Sequence, residues 1–98
     1  MTKREEYIEK LAAQLKEWSS AIDEMEKKAT AQSAEQKERL LKELEGLRAR
    51  RKDAQVKLSQ LRETTGEAWE ELTDGMEKAW GEMKEAVGRV ADKYKQPR

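Results

Sequence analysis

The sequence predicts an all-α protein: a long coiled-coil helix, a break, and a second amphipathic helix, joined in an oligomeric helical bundle. Three observations predict it. Apolar residues recur in steps of three and four through Ile8, Leu11, Leu15, Trp18, Ile22, Met25 and Ala29, a period near 3.5 that keeps one helix face turned toward a partner. Charged residues make up 43% of the chain and hydrophobic ones 36%, with no Phe and one Pro, a mixture typical of long helices. The 21 basic and 21 acidic side chains cancel, whereas disordered chains pair low hydropathy with a high net charge. At 98 residues the chain has room for one domain.

The first helix is expected to begin near residue 3. Thr2 and Glu5 fit a capping box, and Glu5 and Glu6 complement the positive end of the helix dipole. The seam holds to Met25 and thins at Ala29, Gln32 and Gln36. A hairpin turn is conceivable there, with Ser33 and Gln36 as a second capping box. The stretch from Lys27 to Gln36 nevertheless has no Gly, Pro or Asn to fix a turn, so it reads as a weakly packed part of one continuous helix spanning about 3–63. Three consecutive steps of four across this region form a stutter, which locally straightens a supercoil.

The stripe resumes at Leu40, Leu44 and Leu47 and continues through Arg51, Ala54, Leu58 and Leu61. Arg51 is its odd member: a long cation can lay its methylenes along a seam while its head reaches water. The expected break is 64–66, where Gly66 ends the helix in the left-handed conformation and Thr64 with Glu67 opens the next. From about 67 to 95 the stripe runs Trp69, Leu72, Met76, Trp80, Met83, Val87, Val90 and Tyr94. A line of small residues, Ala68, Gly75, Ala79 and Ala86, lies to one side, so this helix is expected to touch two neighbours. Lys93 and Lys95 suit its C-terminus, and Pro97 ends it.

Such a seam cannot be buried by one helix alone. A helix of 61 residues would be about 90 Å long, and the simplest way to cover it is a homodimer. Ile8, Leu11, Leu15, Trp18, Ile22, Met25, Leu40, Leu44, Leu47, Leu58, Leu61, Trp69, Leu72, Met76, Trp80, Met83, Val87 and Val90 are therefore the expected self-association interface. Residues 1–31 carry net −1, 32–63 net +3 and 64–98 net −2. The last third thus complements the middle one.

Little in the sequence points to catalysis or cofactors. There is no His and no Cys, which removes the usual neutral-pH base and the commonest metal ligands. Adjacent acids such as Glu70 and Glu71 diverge by about 100° on a helix and do not converge on one metal or water. No cofactor and no small-molecule substrate is expected. Arg48, Arg50, Arg51 and Lys52 form the sharpest basic cluster, but they point in different directions on a helix, and nucleic-acid binding calls for a coherent basic face. The helix at 67–95 could instead lie on a lipid surface; its acidic polar face argues for packing against protein. With no apolar N-terminal core and no run of membrane-spanning length, a cytoplasmic location is expected.

The opening Met1-Thr-Lys-Arg-Glu-Glu-Tyr7, the turn Leu15-Lys-Glu-Trp18, and Ala68-Trp69-Glu-Glu-Leu72 with its echo Ala79-Trp80-Gly-Glu-Met83 resemble a family of small bacterial coiled-coil proteins described as stress-response proteins. The echo carries Gly81 where the first copy has Glu70. The resemblance implies a helical, cytoplasmic, self-associating protein without catalytic residues.

Overall fold

The computed structural model describes residues 2–95, with side chains to Asp92. It contains three helices, α1 (Lys3–Thr30), α2 (Ala34–Glu63) and α3 (Ala68–Lys95). α2 lies antiparallel to α1, as the pairs Asp23–Arg51 and Glu26–Arg48 show. α3 then returns alongside α1, bringing Trp69 against Tyr7 and Trp80 against Trp18. Helices of 28 and 30 residues are about 42–45 Å long, in keeping with a bundle measuring 51 × 21 × 16 Å.

The one expected helix over 3–63 is therefore two helices, and the chain reverses at Ala31, Gln32 and Ser33. No glycine is needed. Ala31 stays right-handed (φ −88°, ψ −4°), while Ser33 keeps a helical φ of −62° and turns ψ to 160°. The reversal brings Leu40, Leu41, Leu44 and Leu47 against Trp18, Ile22, Met25 and Ala29. Covering those groups from water, at about 25 cal/mol per Å², outweighs the few backbone bonds of an uninterrupted helix. Ser33 sits at the N-cap of α2, but its hydroxyl makes no capping bond, so the second capping box does not form.

The first box does form on the Thr2 side, whose Oγ1 accepts a 3.1 Å bond from the Glu5 N–H. The turn after α2 also follows expectation in part. Gly66 is left-handed at φ +73°, where a Cβ would strain the backbone. The Thr64 hydroxyl, expected to open the next helix, instead donates back to the Gln60 carbonyl at 2.6 Å, and α3 begins at Ala68. The expected packing of the Tyr94 side chain and the stop at Pro97 lie outside the described residues.

Candidate interaction surface

The apolar side chains form two clusters along the bundle. One joins Ile22, Met25 and Ala29 of α1 to Leu44 and Leu47 of α2 and to Met83, Ala86, Val87 and Val90 of α3. The other joins Leu11 and Leu15 to Ala54, Leu58 and Leu61 and to Met76 and Trp80. Trp18 packs on both clusters and meets Trp80 ring to ring at 5.9 Å and 54°, a tilted geometry that the aromatic quadrupoles favour. α3 thus touches two neighbours, as its small residues imply; of those, Ala86 is buried and Ala79 half-buried, while Ala68 and Gly75 face solvent.

All 18 side chains expected at the self-association seam lie in or against these clusters. They cover one another within a single chain. Ile8, Trp18, Leu40, Trp69 and Leu72 are only half-buried and the other members are buried. The coverage is thinnest toward the two ends: Tyr7, Ile8, Trp69 and Leu72 near the α2–α3 turn, and Leu40 and Leu41 near the α1–α2 turn. Along the outer face of α2, Val56 is a large hydrophobic residue exposed to 49%.

Arg4 holds the first of these ends together. Its guanidinium donates to the carbonyls of Leu61, at 3.5 Å, of Arg62, at 3.2 Å, and of Thr64, and lies 4.8 Å from the centre of the Trp69 ring. The last carbonyls of a helix lack partners in its regular ladder and carry the negative end of its dipole; the Leu61 carbonyl already accepts from the Thr64 N–H at 3.2 Å, and the cation adds to that bond and serves the Arg62 and Thr64 carbonyls. Tyr7 packs edge-on to Trp69 with centroids 6.0 Å apart. Its enclosed hydroxyl has no hydrogen-bond partner; burial, with Glu77 and Asp74 nearby, pushes the phenol above its usual range. Neither Arg4 nor Tyr7 belongs to the apolar stripe. A signal was nonetheless present: a cation in the first turn of α1 opposes that helix's own dipole and asks for a partner elsewhere.

Three of the four cations in the basic cluster of α2 face acids on its neighbours, and Lys52 is exposed. Arg48 pairs with Glu26, Arg51 with Asp23 at 3.8 Å, and Arg50 approaches Glu82 of α3 at 3.9 Å. Arg51 keeps a side-chain exposure of 25%, consistent with methylenes lying along the seam. The pairing of α2 with acids on both neighbours follows the charge distribution of the three segments, although exposed pairs contribute only about 0–1 kcal/mol each. The apolar face of α3, including Met76, Trp80, Met83 and Val87, is buried against α1 and α2. Lipid contact through that face requires α3 to leave the bundle.

Among the described residues no helix is long and apolar enough to cross a membrane, and no three His, Cys, Asp or Glu side chains converge where a metal could be held. A shallow groove on the first turns of α2 is lined by Glu35, Glu38, Arg39 and Lys42. It is open and mixed in charge.

These features define an antiparallel three-helix bundle whose distinctive side chains are committed to contacts between helices. No known protein family, characterised protein or solved structure matches the chain.

Proposed function

We propose that this chain is a non-catalytic helical interaction module that self-associates, most simply as a homodimer, in a structural role. The observation that carries this reading is the incomplete cover of the apolar seam, which leaves Tyr7, Ile8, Trp69 and Leu72 at one end, Leu40 and Leu41 at the other, and Trp18 between the two clusters half-exposed. Half-covered aromatic and aliphatic groups at the margin of a packed seam are places where another helix gains contact area without refolding the bundle. A stress-related, cytoplasmic setting is the part of the proposal that rests on the resemblance of the Trp18, Trp69 and Trp80 segments to small bacterial coiled-coil proteins.

Sedimentation velocity across a dilution series from millimolar to sub-micromolar tests the reading. A mass that rises to twice 11.4 kDa with concentration supports it. A single species of chain mass at every concentration overturns it.

A further inference from the structure

The two turns of the bundle are built very differently. The α2–α3 turn depends on Gly66 at φ +73° and on Arg4, which spans three carbonyls of the turn region and stacks on Trp69. The α1–α2 turn has no such fastening. Ala31, Gln32 and Ser33 are all residues that helices accept, Ser33 makes no side-chain cap, and every residue from Ser33 to Arg39 faces solvent. The bend is closed by local bonds alone: Ala31 N–H to the Lys28 carbonyl at 3.2 Å, Gln32 N–H to the Ala29 carbonyl at 3.1 Å, and the Thr30 hydroxyl and Gln32 side-chain amide donating back to the Lys27 and Lys28 carbonyls at 2.8 and 3.5 Å. At its far side, the first amides of α2 have no acceptor within their own helix. Rotating ψ at Ser33 from 160° to the helical value near −42°, with Gln32 following, joins α1 to α2 and gives those amides the carbonyls at the end of α1.

We infer that the α1–α2 turn is a hinge, and that a second copy of this chain exchanges α1 through it. In the exchanged dimer residues 3–63 form one helix, and α1 of each copy lies on α2 and α3 of the other. The inference rests on the self-association proposed above, and reaches it by exchange of α1 rather than by cover of the half-exposed ends. Every contact of the closed bundle reappears between copies: Ile22 on Leu44 and Met83, Trp18 on Trp80, Glu26 with Arg48, and Arg4 on the α2–α3 turn. The two forms differ only at the hinge, where the open one gains backbone hydrogen bonds, and in the entropy of bringing two chains together. Short connections between packed helices are where such exchange occurs. Nothing beyond the hinge has to be repacked.

Ala34→Pro separates the two forms. Proline suits the first position of a helix, and an extended residue before it, such as Ser33 at ψ 160°, is what proline requires. Inside an uninterrupted helix the same proline breaks a backbone bond and clashes, which disfavours the open form roughly 100-fold per hinge and about 10⁴-fold for a dimer with two hinges. Gln32→Ala with Ser33→Ala favours the open form by roughly fivefold per hinge.

The direct reading is a distance. The chain has no cysteine, so Ala13→Cys and Ser59→Cys place two spin labels on exposed positions of α1 and α2. Diluting the labelled chain into excess unlabelled protein isolates the distance within one chain. In the open helix the 46-residue separation gives about 69 Å; in the closed bundle it is limited by the 21 Å cross-section and the label arms. The expected result is a dimer with the long distance, lost in Ala34→Pro and increased in the double alanine variant. A dimer with only the short distance, unaffected by Ala34→Pro, overturns the exchange and leaves self-association standing. A monomer at every concentration, in the double alanine variant as well, overturns both. If Ala34→Pro loses its helicity, the label distance in the unchanged hinge decides alone.

Discussion

Removing the Arg4 side chain tests whether the α2–α3 turn is fastened from α1. The guanidinium reaches the carbonyls of Leu61, Arg62 and Thr64 and stacks at 4.8 Å on Trp69. Charge-assisted hydrogen bonds contribute about 1.5–3 kcal/mol where they are sheltered, and a cation over an exposed aromatic ring about 0.5–1 kcal/mol. Both gains are reduced here because the site is only partly buried. Against them stands the repulsion of a cation in the first turn of α1, about 0.3–1 kcal/mol, which the substitution relieves. Arg4→Ala is therefore expected to destabilise the bundle by about 1.5–2 kcal/mol, lowering the melting temperature by roughly 6–12 °C for a domain of this size. Arg4→Lys keeps the charge but loses the planar fork and the stacking, and should cost about 1 kcal/mol. Urea unfolding followed by circular dichroism measures both, with Lys3→Ala, a neighbouring exposed cation, as the control within about 0.5 kcal/mol. An Arg4→Ala midpoint indistinguishable from that of Lys3→Ala would refute the fastening.

Ile22, fully buried among all three helices, should cost about 3–4 kcal/mol on Ile22→Ala, read by the same unfolding curves; a loss under 1 kcal/mol would mean that this cluster is not packed as described. At Gly81 and Gly88 an added Cβ meets nothing within 4 Å, so each change to Ala should stabilise by up to about 1 kcal/mol, whereas Gly66→Ala, at φ +73°, should destabilise by about 1–2 kcal/mol. Thermal melts that show the same sign at all three positions contradict that assignment of the turn. Tyr7 has its phenol raised above the usual 10.0 by burial and by nearby Glu77 and Asp74. The folded state therefore favours the protonated form: its contribution is complete below the unfolded pKa and is lost as pH rises through the folded one. Stability measured from pH 9 to 12 should fall more steeply for the unmodified chain than for Tyr7→Phe, and parallel curves would show that the phenol is not coupled to folding.

The apolar period of 3.5 carried most of the fold. It marked the faces of α1 and α3 that meet and placed Trp18 and Trp80 at the centre, because a heptad seam records which side of a helix is covered. It does not record what covers it. Leu40, Leu44 and Leu47 satisfy Ile22 and Met25 equally well from the same chain or another, so the periodicity that predicts a long rod also fits a hairpin. The reversal at Ala31–Ser33 was obscure for a related reason: it is made from residues that would continue a helix, with no positive φ, and only the packing of α2 against α1 selects the bend. The α2–α3 turn was legible because Gly66 bears a local conformational requirement. Arg4 stood out only as a cation at the wrong end of a helix dipole; its partners were hidden because they are backbone carbonyls some sixty positions away, which leave no mark in residue type.

That contrast bears on the proposed exchange. A turn with its own conformational requirement, as at Gly66, is kept whichever α1 supplies the Arg4 that fastens it, while a turn imposed by packing lasts only while that packing stays within one molecule. α2 and α3 are joined in the first way; α1 is joined to them in the second. In the proposed exchange, concentration acts on the α1 connection alone, since a second chain would offer α1 the same surface together with a continuous backbone. Ala34→Pro and Gly66→Ala should therefore have opposite consequences. The proline confines α1 to its own chain at no cost to the closed fold, and the alanine weakens the α2–α3 pair in monomer and dimer alike. A Gly66→Ala variant that alters the monomer–dimer balance while leaving stability unchanged would show that the two turns have been assigned the wrong way round.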